Sequence, residues 1–402
     1  MSEAIKTLNV LNPKRILSID AFRGITYLVM IFVNELHGVS GIPGWMRHMP
    51  ADADGMSVPD VVFPAFLFIV GMSIPFGINS RLLKGASFLQ LQGHILYRAF
   101  GLVVMGFFMV NAEDGYNEKA MGMSIHLWSL LFYAAVALTW GVYRFENIVL
   151  NRVLKATGIG TILALGFIYR GGDGTTWMTP QWWGILGLIG WAYLAACTLY
   201  QLVRGSLRGV LASIAACVGY YAAAHIPAVV QSPILHWLFS QDDQAGHTSI
   251  VLCGLACALI FFDAGRQDPQ ARRFAQVAAL MAALLLVAYG LRPFYKISKI
   301  YATPSWCLYS AAICIAIFGF LYWLIDMRKA VGWTRLVEPA AANPLVTYLI
   351  PFVIFSGLSY FGLELPAILK QGLVGVLYCA GFAMAIVWLV SVMNKFNLRL
   401  KL

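Results

Sequence analysis

Apolar runs of about 20 residues recur along almost the whole chain, and they limit its fold more than any other feature. A run of that length crosses a hydrocarbon core of about 30 Å as an α-helix. Only 11% of the residues are charged and the mean hydropathy is +0.74, which excludes a soluble domain with a polar exterior. The sequence therefore predicts an all-α polytopic integral membrane protein, embedded in the lipid bilayer, with about 12 transmembrane helices. The predicted spans cover residues 21–37, 59–79, 93–111, 122–142, 153–170, 182–202, 208–226, 247–264, 274–291, 304–325, 344–361 and 368–393.

The basic residues predict the orientation of these spans, because positively charged short loops stay on the cytoplasmic side. With the N-terminus inside, most of the 28 lysines and arginines fall in cytoplasmic segments. Both termini are therefore expected in the cytoplasm. This topology explains the net charge of +10, so no nucleic-acid partner is expected. The basic residues left on the outer side are Arg47, Lys119, Arg170, Arg292, Lys296, Lys299 and Lys370.

No soluble domain is expected besides the spans. Residues 1–402 are predicted to form a single transmembrane domain that begins with a short cytoplasmic segment at residues 1–15. That segment lacks the pattern of a removable signal peptide. Cys253 and Cys257 share a helix face but have no nearby histidine or carboxylate ligands, so no metal site is expected.

Polar side chains gather around the connection between the first two predicted spans. His48 lies in this connection, Asn34 at the outer end of the first span and Asp60 at the start of the second. Histidine can transfer protons near neutral pH, whereas Asp60 is explained equally well by the helix dipole. Asp20 and Arg23, at the inner end, have the spacing either of an ion pair or of charged groups facing a cavity. These residues alone leave a transporter and a membrane enzyme open.

Longer motifs give a more specific indication. The segment "LSIDAFRGITYLVMIFVNELHG", followed by "PDVVFPAFLFIVGMSI", resembles the opening of the heparan-α-glucosaminide N-acetyltransferase family. The segments "GHTSIVLCGLACALIFFDAG" (246–265), "ISKIYATPSW" (297–306) and "ANPLVTYLI" (342–350) resemble later parts of that family in the same order. The similarity is most specific over residues 17–76. The chain resembles in particular the bacterial branch associated with N-acetylglucosamine utilisation.

The resemblance implies an acetyl-CoA-dependent N-acyltransferase in the bacterial inner membrane. Such an enzyme would move acetyl from cytosolic acetyl-CoA to the amine of an amino sugar on the periplasmic side. By position, the family's catalytic histidine is His48, supported by Asn34, with Asp60 as the candidate carboxylate behind the imidazole. His48 is expected to act as a general base or as a nucleophile that forms an acetyl-imidazole. The candidates for binding the CoA phosphates are Arg23, Arg81 and Arg98.

The sequence also departs from the family's pattern. The stretch "HMPADADGMSVPD" is longer than the usual His-to-Asp spacing and lacks a Trp-Asn pair, so His37 remains a rival for the catalytic histidine. Ile189 and Gly190 replace the Gln-Arg of the family's Leu-Gln-Arg-Ile motif. The spans within residues 122–170 are predicted to be an inserted helix pair. The outer loop at residues 292–306 could line a sugar entrance or form an interfacial aromatic and basic belt.

The alternative function is a sugar permease for N-acetylglucosamine or related amino sugars. Twelve spans with both termini inside are a common transporter architecture. Against this reading, no convincing internal repeat relates residues 1–200 to residues 201–402. A scaffold without small-molecule activity leaves the grouping of Asn34, His48 and Asp60 unexplained. The sequence leaves open the acceptor sugar and the oligomeric state, a homodimer included.

Overall fold

A computed structural model describes residues 16–143, 145–263 and 268–402 of the chain. Within these ranges the regular structure is helical, and the only β-type pairings are isolated bridges. Ten of the described helices are long and apolar enough to cross a membrane. The prediction of an all-α polytopic membrane protein is therefore confirmed. The predicted cytoplasmic segment 1–15 lies outside the described residues, as do Arg144 and Arg266.

Each predicted span corresponds to a helix, although two of these helices are short. They are α1 (Leu17–Leu36), α2 (Pro59–Leu83), α3 (Phe88–Glu113), α4 (Ile125–Trp140), α5 (Ile148–Ile168), α6 (Gly184–Leu202), α7 (Leu207–Ala224), α8 (Asp242–Phe262), α9 (Gln270–Tyr295), α10 (Pro304–Leu321), α11 (Pro344–Tyr360) and α12 (Gly372–Lys395). Helix α10 continues into a π-helical segment at Tyr322–Met327. Helices α4 and α11 contain only 16 and 17 residues, so the total of twelve spans remains a prediction.

Local sequence signals fix several helix starts. The side chains of Ser124 and Ser206 accept hydrogen bonds from first-turn N–H groups of α4 and α7, as N-cap residues do. Pro59 and Pro304 occupy the first turn of α2 and α10, where a missing N–H costs no helical hydrogen bond. Helix α2 therefore begins directly after the polar connection that contains His48.

The chain is divided into two compact units. The first contains the described residues of Met1–Thr26 together with Pro43–Ala99 and Leu188–Val331. The second contains Tyr27–Ile42, Phe100–Gly187 and Gly332–Leu402. The assignment of the chain to one transmembrane domain remains a prediction.

Helix α8 forms the centre of the first unit. Every residue from Gly246 to Phe261 is buried, and α2, α7, α9 and α10 all pack against this helix. The α2–α8 contact is especially close, because a Cβ atom at Gly71 would overlap the Val251 carbonyl and one at Gly254 would overlap the Phe68 carbonyl. Glycine at both positions allows the two backbones to touch.

Helix α4 organises the second unit, where it packs against α5 and α11. Phe108, Trp128 and Phe132 stack nearly parallel, with ring centroids 4.8 to 6.0 Å apart. The Trp128 indole N–H donates a hydrogen bond of 3.0 Å to the Leu165 carbonyl and thereby joins α4 to α5. The predicted inserted pair thus consists of two helices that pack on each other, and its status as an insertion remains a prediction.

Candidate active site

His48 lies in the connection that leads into α2, just after a 3-10 turn at Gly44–Met46. Its side chain is 35% exposed, and its Nδ1 atom lies 2.7 Å from Oδ1 of Asp60. Asp60 is in the first turn of α2 and is only 1% exposed. An accessible imidazole is therefore held by a buried carboxylate.

The second oxygen of Asp60 is saturated with donors. Oδ2 accepts hydrogen bonds from the Met49 N–H at 3.2 Å, the Ser57 N–H at 3.0 Å and the Ser57 hydroxyl at 2.9 Å. The Trp306 indole donates to the Asp60 main-chain carbonyl at 3.2 Å. The Ser57-to-Asp60 spacing is that of a capping box, in which an acidic side chain reaches back to an N–H that precedes the helix. The hydrogen bonds from Ser57 and Met49 thus orient Asp60 and leave Oδ1 for His48.

This geometry assigns the tautomer of His48 from the hydrogen-bond network. An ionised carboxylate can only accept hydrogen bonds, so the 2.7 Å contact requires a proton on Nδ1 of the imidazole. The neutral ring then carries its lone pair on Nε2. A histidine with its Nδ1–H bound to a carboxylate and a basic Nε2 can act as a general base or a nucleophile.

A second loop, residues 296–303 between α9 and α10, is hydrogen-bonded to the loop that contains His48 (residues 47–58, the His48 loop). Asp54 accepts hydrogen bonds from Nε of Arg292, at 3.1 Å to Oδ1 and 3.0 Å to Oδ2, and from the Ile297 N–H at 2.9 Å. The Ser298 hydroxyl donates to the Ala51 carbonyl at 2.7 Å, and the Gly55 N–H donates to the Ile297 carbonyl at 3.1 Å. Contacts at both ends therefore fix the two loops against each other.

Lys299 brings a positive charge to His48. Its Nζ lies 3.3 Å from Nδ1 of the imidazole. Burial lowers the pKa of Lys299 from its ordinary value, while the Asp60 carboxylate opposes this shift. The loop at residues 292–306 therefore contributes a cation to the site, as well as exposed aromatic side chains such as Phe294 and Tyr301.

Arg81 and Arg98 line a small cleft together with Ser73, His94 and Tyr193. Arg81 Nη2 donates to His94 Nε2 at 2.7 Å. The Arg98 guanidinium lies over the Tyr193 ring, 4.8 Å from its centroid. Guanidinium groups are well suited to bind phosphate oxygens, so this cleft has the chemistry of an anion site.

Arg23, the third predicted phosphate ligand, contacts the cleft residue Ser73 but does not itself line the cleft. Its Nη2 donates to the Ser73 hydroxyl at 3.0 Å, while Nη1 forms an ion pair with Asp20, also at 3.0 Å. The structure therefore shows the ion pair that the spacing of Asp20 and Arg23 suggested. Because Asp20 compensates its charge, Arg23 is a weaker candidate for a phosphate ligand than a lone arginine would be.

The other predicted site residues differ in their surroundings. Asn34 is exposed near the end of α1, and His37 is exposed in the turn that follows; both belong to the second unit. Ile189 and Gly190, where the family has Gln-Arg, are buried in α6. Across residues 16–143, 145–263 and 268–402, no three His, Cys, Asp or Glu side chains are grouped as metal ligands.

Sequence reasoning missed the roles of Ser57 and Lys299. The Ser-x-x-Asp spacing at residues 57–60 was a usable signal, because it predicts a capping interaction with Asp60. Lys299 had no comparable signal. Its contact with His48 joins residues that are 251 positions apart in the chain.

Comparisons with known proteins place the chain in a family. A family model described as "Domain of unknown function (DUF5009)" matches residues 15–237. The chain belongs to the DUF5009 family. The DUF5009 match includes His48, Asp60 and the three arginines, whereas Lys299 lies beyond it.

The DUF5009 chain is also similar to curated relatives over part of its length. It is 41% identical over 99 residues to heparan-alpha-glucosaminide N-acetyltransferase of Homo sapiens and 39% identical over 100 residues to the Mus musculus protein. Each alignment covers 25% of this chain and 14% of the relative. The family resemblance predicted from the sequence motifs is therefore confirmed, while the assignment to a bacterial branch remains a prediction.

Proposed function

We propose that this protein is a transmembrane acetyltransferase that moves acetyl from acetyl-CoA to the amine of an amino sugar. The observation that carries the proposal is the His48–Asp60 pair, with Nδ1 2.7 Å from Oδ1. Part of the chain is 41% identical to a protein named as an N-acetyltransferase, which supports this chemistry. Acetyl transfer needs a base for the amine proton, and the assigned tautomer supplies one at Nε2.

His48 can act as the general base in a direct transfer of acetyl from the thioester to the amine. The acceptor nitrogen attacks the thioester carbonyl, Nε2 takes the proton lost from that nitrogen, and the thiolate of CoA leaves and receives this proton from Nε2 to become the thiol. Asp60 stabilises the imidazolium formed in between, because its buried Oδ1 faces Nδ1–H. The alternative route, in which Nε2 first receives the acetyl group and then passes it to the amine, uses the same atom.

The cleft containing Arg81 and Arg98 is the proposed site for the CoA phosphates. Asp60 and Arg81 are at opposite ends of α2, separated by about 30 Å of helix at 1.5 Å rise per residue. That length matches the hydrocarbon core of a bilayer. Acetyl-CoA would therefore bind at the inner, cytoplasmic side, with His48 at the outer mouth, facing the periplasm of a bacterial inner membrane. The role of Asn34 in supporting catalysis, which the family resemblance implies, remains a prediction.

The test is acetyl-CoA turnover by the purified protein in liposomes, with glucosamine and chito-oligosaccharide amines as acceptors. The wild type should release free CoA only when an acceptor is present. His48→Ala should lose at least about 100-fold in kcat, because it removes the base. His37→Ala is the matched control and should retain activity, because its exposed side chain lies outside the His48–Asp60 pair.

Other outcomes would contradict the proposal. Loss of turnover in His37→Ala with retention in His48→Ala would move the chemistry to the rival histidine. Absence of CoA release together with uptake of N-acetylglucosamine into the liposomes would support the permease instead.

A further inference from the structure

Lys299 and Asp60 both contact the same nitrogen of His48, but they cannot bind it in the same way. Nδ1 donates its proton to Asp60 Oδ1 at 2.7 Å, so it has no lone pair left to accept a hydrogen bond. Lys299 Nζ, 3.3 Å from Nδ1, is itself only a donor when charged. The contact between Lys299 and His48 is therefore a close approach of a cation to an N–H group.

The structure holds this cation in place through the loop backbone. Ala302 has a left-handed conformation with φ 46°, and its N–H donates to the Lys299 carbonyl at 3.1 Å. Helix α8 leaves room for this turn because residue 246 is a glycine. A Cβ atom at that position would lie only 2.6 Å from the Ala302 carbonyl oxygen. A non-glycine residue with positive φ persists only where surrounding contacts hold it. Here those contacts place Lys299 beside the imidazole.

Asp60 and Lys299 act on the protonation of His48 in opposite directions. The carboxylate favours the imidazolium, and a cation within about 4–6 Å disfavours it. A base that is already protonated cannot accept a proton from the acceptor amine. Asp60 fixes the tautomer of His48, and the Lys299 cation opposes the attraction of this carboxylate for the imidazolium.

The remaining charged and titratable groups near His48 are accounted for. Asp54 is paired with Arg292 at 3.0 Å, and Lys296 Nζ lies 3.4 Å from the Asp52 carbonyl. On α8, His247 is buried, with its ring against Phe63 and Trp306. Arg47 is exposed next to His48 in the sequence. Lys299 is thus the basic side chain that the described residues place in contact with the imidazole.

We propose that Lys299 is a positioning residue whose positive charge, held 3.3 Å from Nδ1, disfavours the imidazolium of His48 and so favours a resting ring whose Nε2 can take up a proton during the reaction. This inference rests on the proposed acetyltransferase function. It extends that function by adding a cation whose effect on the protonation of His48 opposes that of Asp60. Lys299 acts through His48 and takes no part in bond making or breaking.

The test compares Lys299→Met with Lys299→Arg, and with Lys296→Met as the matched control from the same loop. One measurement is the pH profile of kcat/KM for acetyl transfer. The other is the pH dependence of His48 carbethoxylation by diethylpyrocarbonate, followed at the His48 peptide by mass spectrometry. The second measurement does not depend on turnover. Lys299→Gln replaces Lys299→Met if the methionine variant does not accumulate.

Removal of the cation should move both midpoints to higher pH by about half a unit to one unit, because a positive charge 3.3 Å from Nδ1 disfavours the imidazolium. At pH values above the shifted limb of its kcat/KM profile, Lys299→Met should retain the wild-type activity. Lys299→Arg should keep the wild-type midpoints, since it keeps the charge, and Lys296→Met should keep them as well.

Unchanged midpoints in Lys299→Met would overturn the inference, and so would an equal loss of activity at every pH. Failure of the proposed function looks different. In that case the wild type shows no turnover with any acceptor, while the carbethoxylation midpoint still reports whether Lys299 controls the protonation of His48.

Discussion

At the scale of single residues, Asp54 is the main link between the two loops of the candidate site. The Ile297 N–H, followed by the Arg292 side chain, holds the pKa of Asp54 below its ordinary value. A carboxylate with a lowered folded-state pKa stabilises the fold above its unfolded pKa of about 3.9. That contribution is lost as the pH falls through the folded-state pKa.

Asp54→Asn should therefore lower the melting temperature by about 1–3 °C at pH 7, a small effect because the pair is partly exposed. The difference from wild type should shrink below the ordinary pKa of aspartate. Thermal unfolding in detergent between pH 3 and pH 8 measures both effects. Asp52→Asn is the control, because the contact that the described residues show between Asp52 and the second loop is made by the Asp52 main-chain carbonyl. An equal loss in both variants would contradict this role for Asp54.

The sequence identifies residue types at this scale better than their partners. His48, Asp60 and the arginines could be selected because ionisable groups near a membrane are costly and tend to be functional. The capping spacing of Ser57 and Asp60 was also readable. The contacts of Lys299 with His48 and of Arg292 with Asp54 depend on how distant loops fold together, and a single sequence carries no pattern for such pairs.

At the scale of helices, the crossing of α2 and α8 depends on two glycines. The α2 backbone at Gly71 faces Val251 of α8, and Gly254 of α8 faces Phe68 of α2. Side chains at either position would push the helices apart. Because α2 also carries Asp60 and Arg81 at its two ends, this crossing supports both proposed subsites.

Gly71→Ala and Gly254→Ala should each destabilise the protein by about 1–3 kcal/mol or more, because the added methyl group meets backbone rather than a movable side chain. Gly77→Ala in α2 is the matched control, since no heavy atom lies within 4 Å of a Cβ at that position. The control should be neutral or stabilising by about 0.5–1 kcal/mol. Thermal unfolding measured by size-exclusion chromatography compares the three. Comparable losses in Gly77→Ala would show that the effect does not depend on the close crossing of α2 and α8.

Hydropathy predicted where the helices lie but not how each is buried. Every predicted span overlaps a helix. A helix that crosses a bilayer needs an apolar run of about 20 residues, and such runs can be read directly from the sequence. Helix α8 is buried from Gly246 to Phe261, whereas α9 has only three buried residues, yet both appear as apolar runs. A helix surrounded by other helices and one facing lipid can be equally apolar, so the sequence does not distinguish them.

At the scale of the whole molecule, the division into two units was not predictable from the spans. Three of the five unit boundaries, after Thr26, Ala99 and Gly187, fall within α1, α3 and α6. Hydropathy treats each span as one element and cannot detect a change of packing partners along it. The orientation of the chain, by contrast, follows from the basic residues and can be tested directly.

Two cysteine variants at opposite ends of α2 test that orientation. All seven native cysteines are buried, so their background reaction with a maleimide should be low. Trp45 is 61% exposed just before the His48 loop, and Lys84 is exposed just after α2. In spheroplasts, Trp45→Cys should react with a membrane-impermeant maleimide, and Lys84→Cys should react only after permeabilisation.

The reverse labelling pattern would place the His48 loop in the cytoplasm and the cleft of Arg81 and Arg98 outside. The proposed phosphate site would then face a compartment without acetyl-CoA, and the acetyl group could not cross from the arginine cleft to His48 in the proposed direction. Labelling at these two positions therefore tests the positive-inside assignment and the direction of acetyl transfer together, because both depend on which end of α2 faces the cytoplasm.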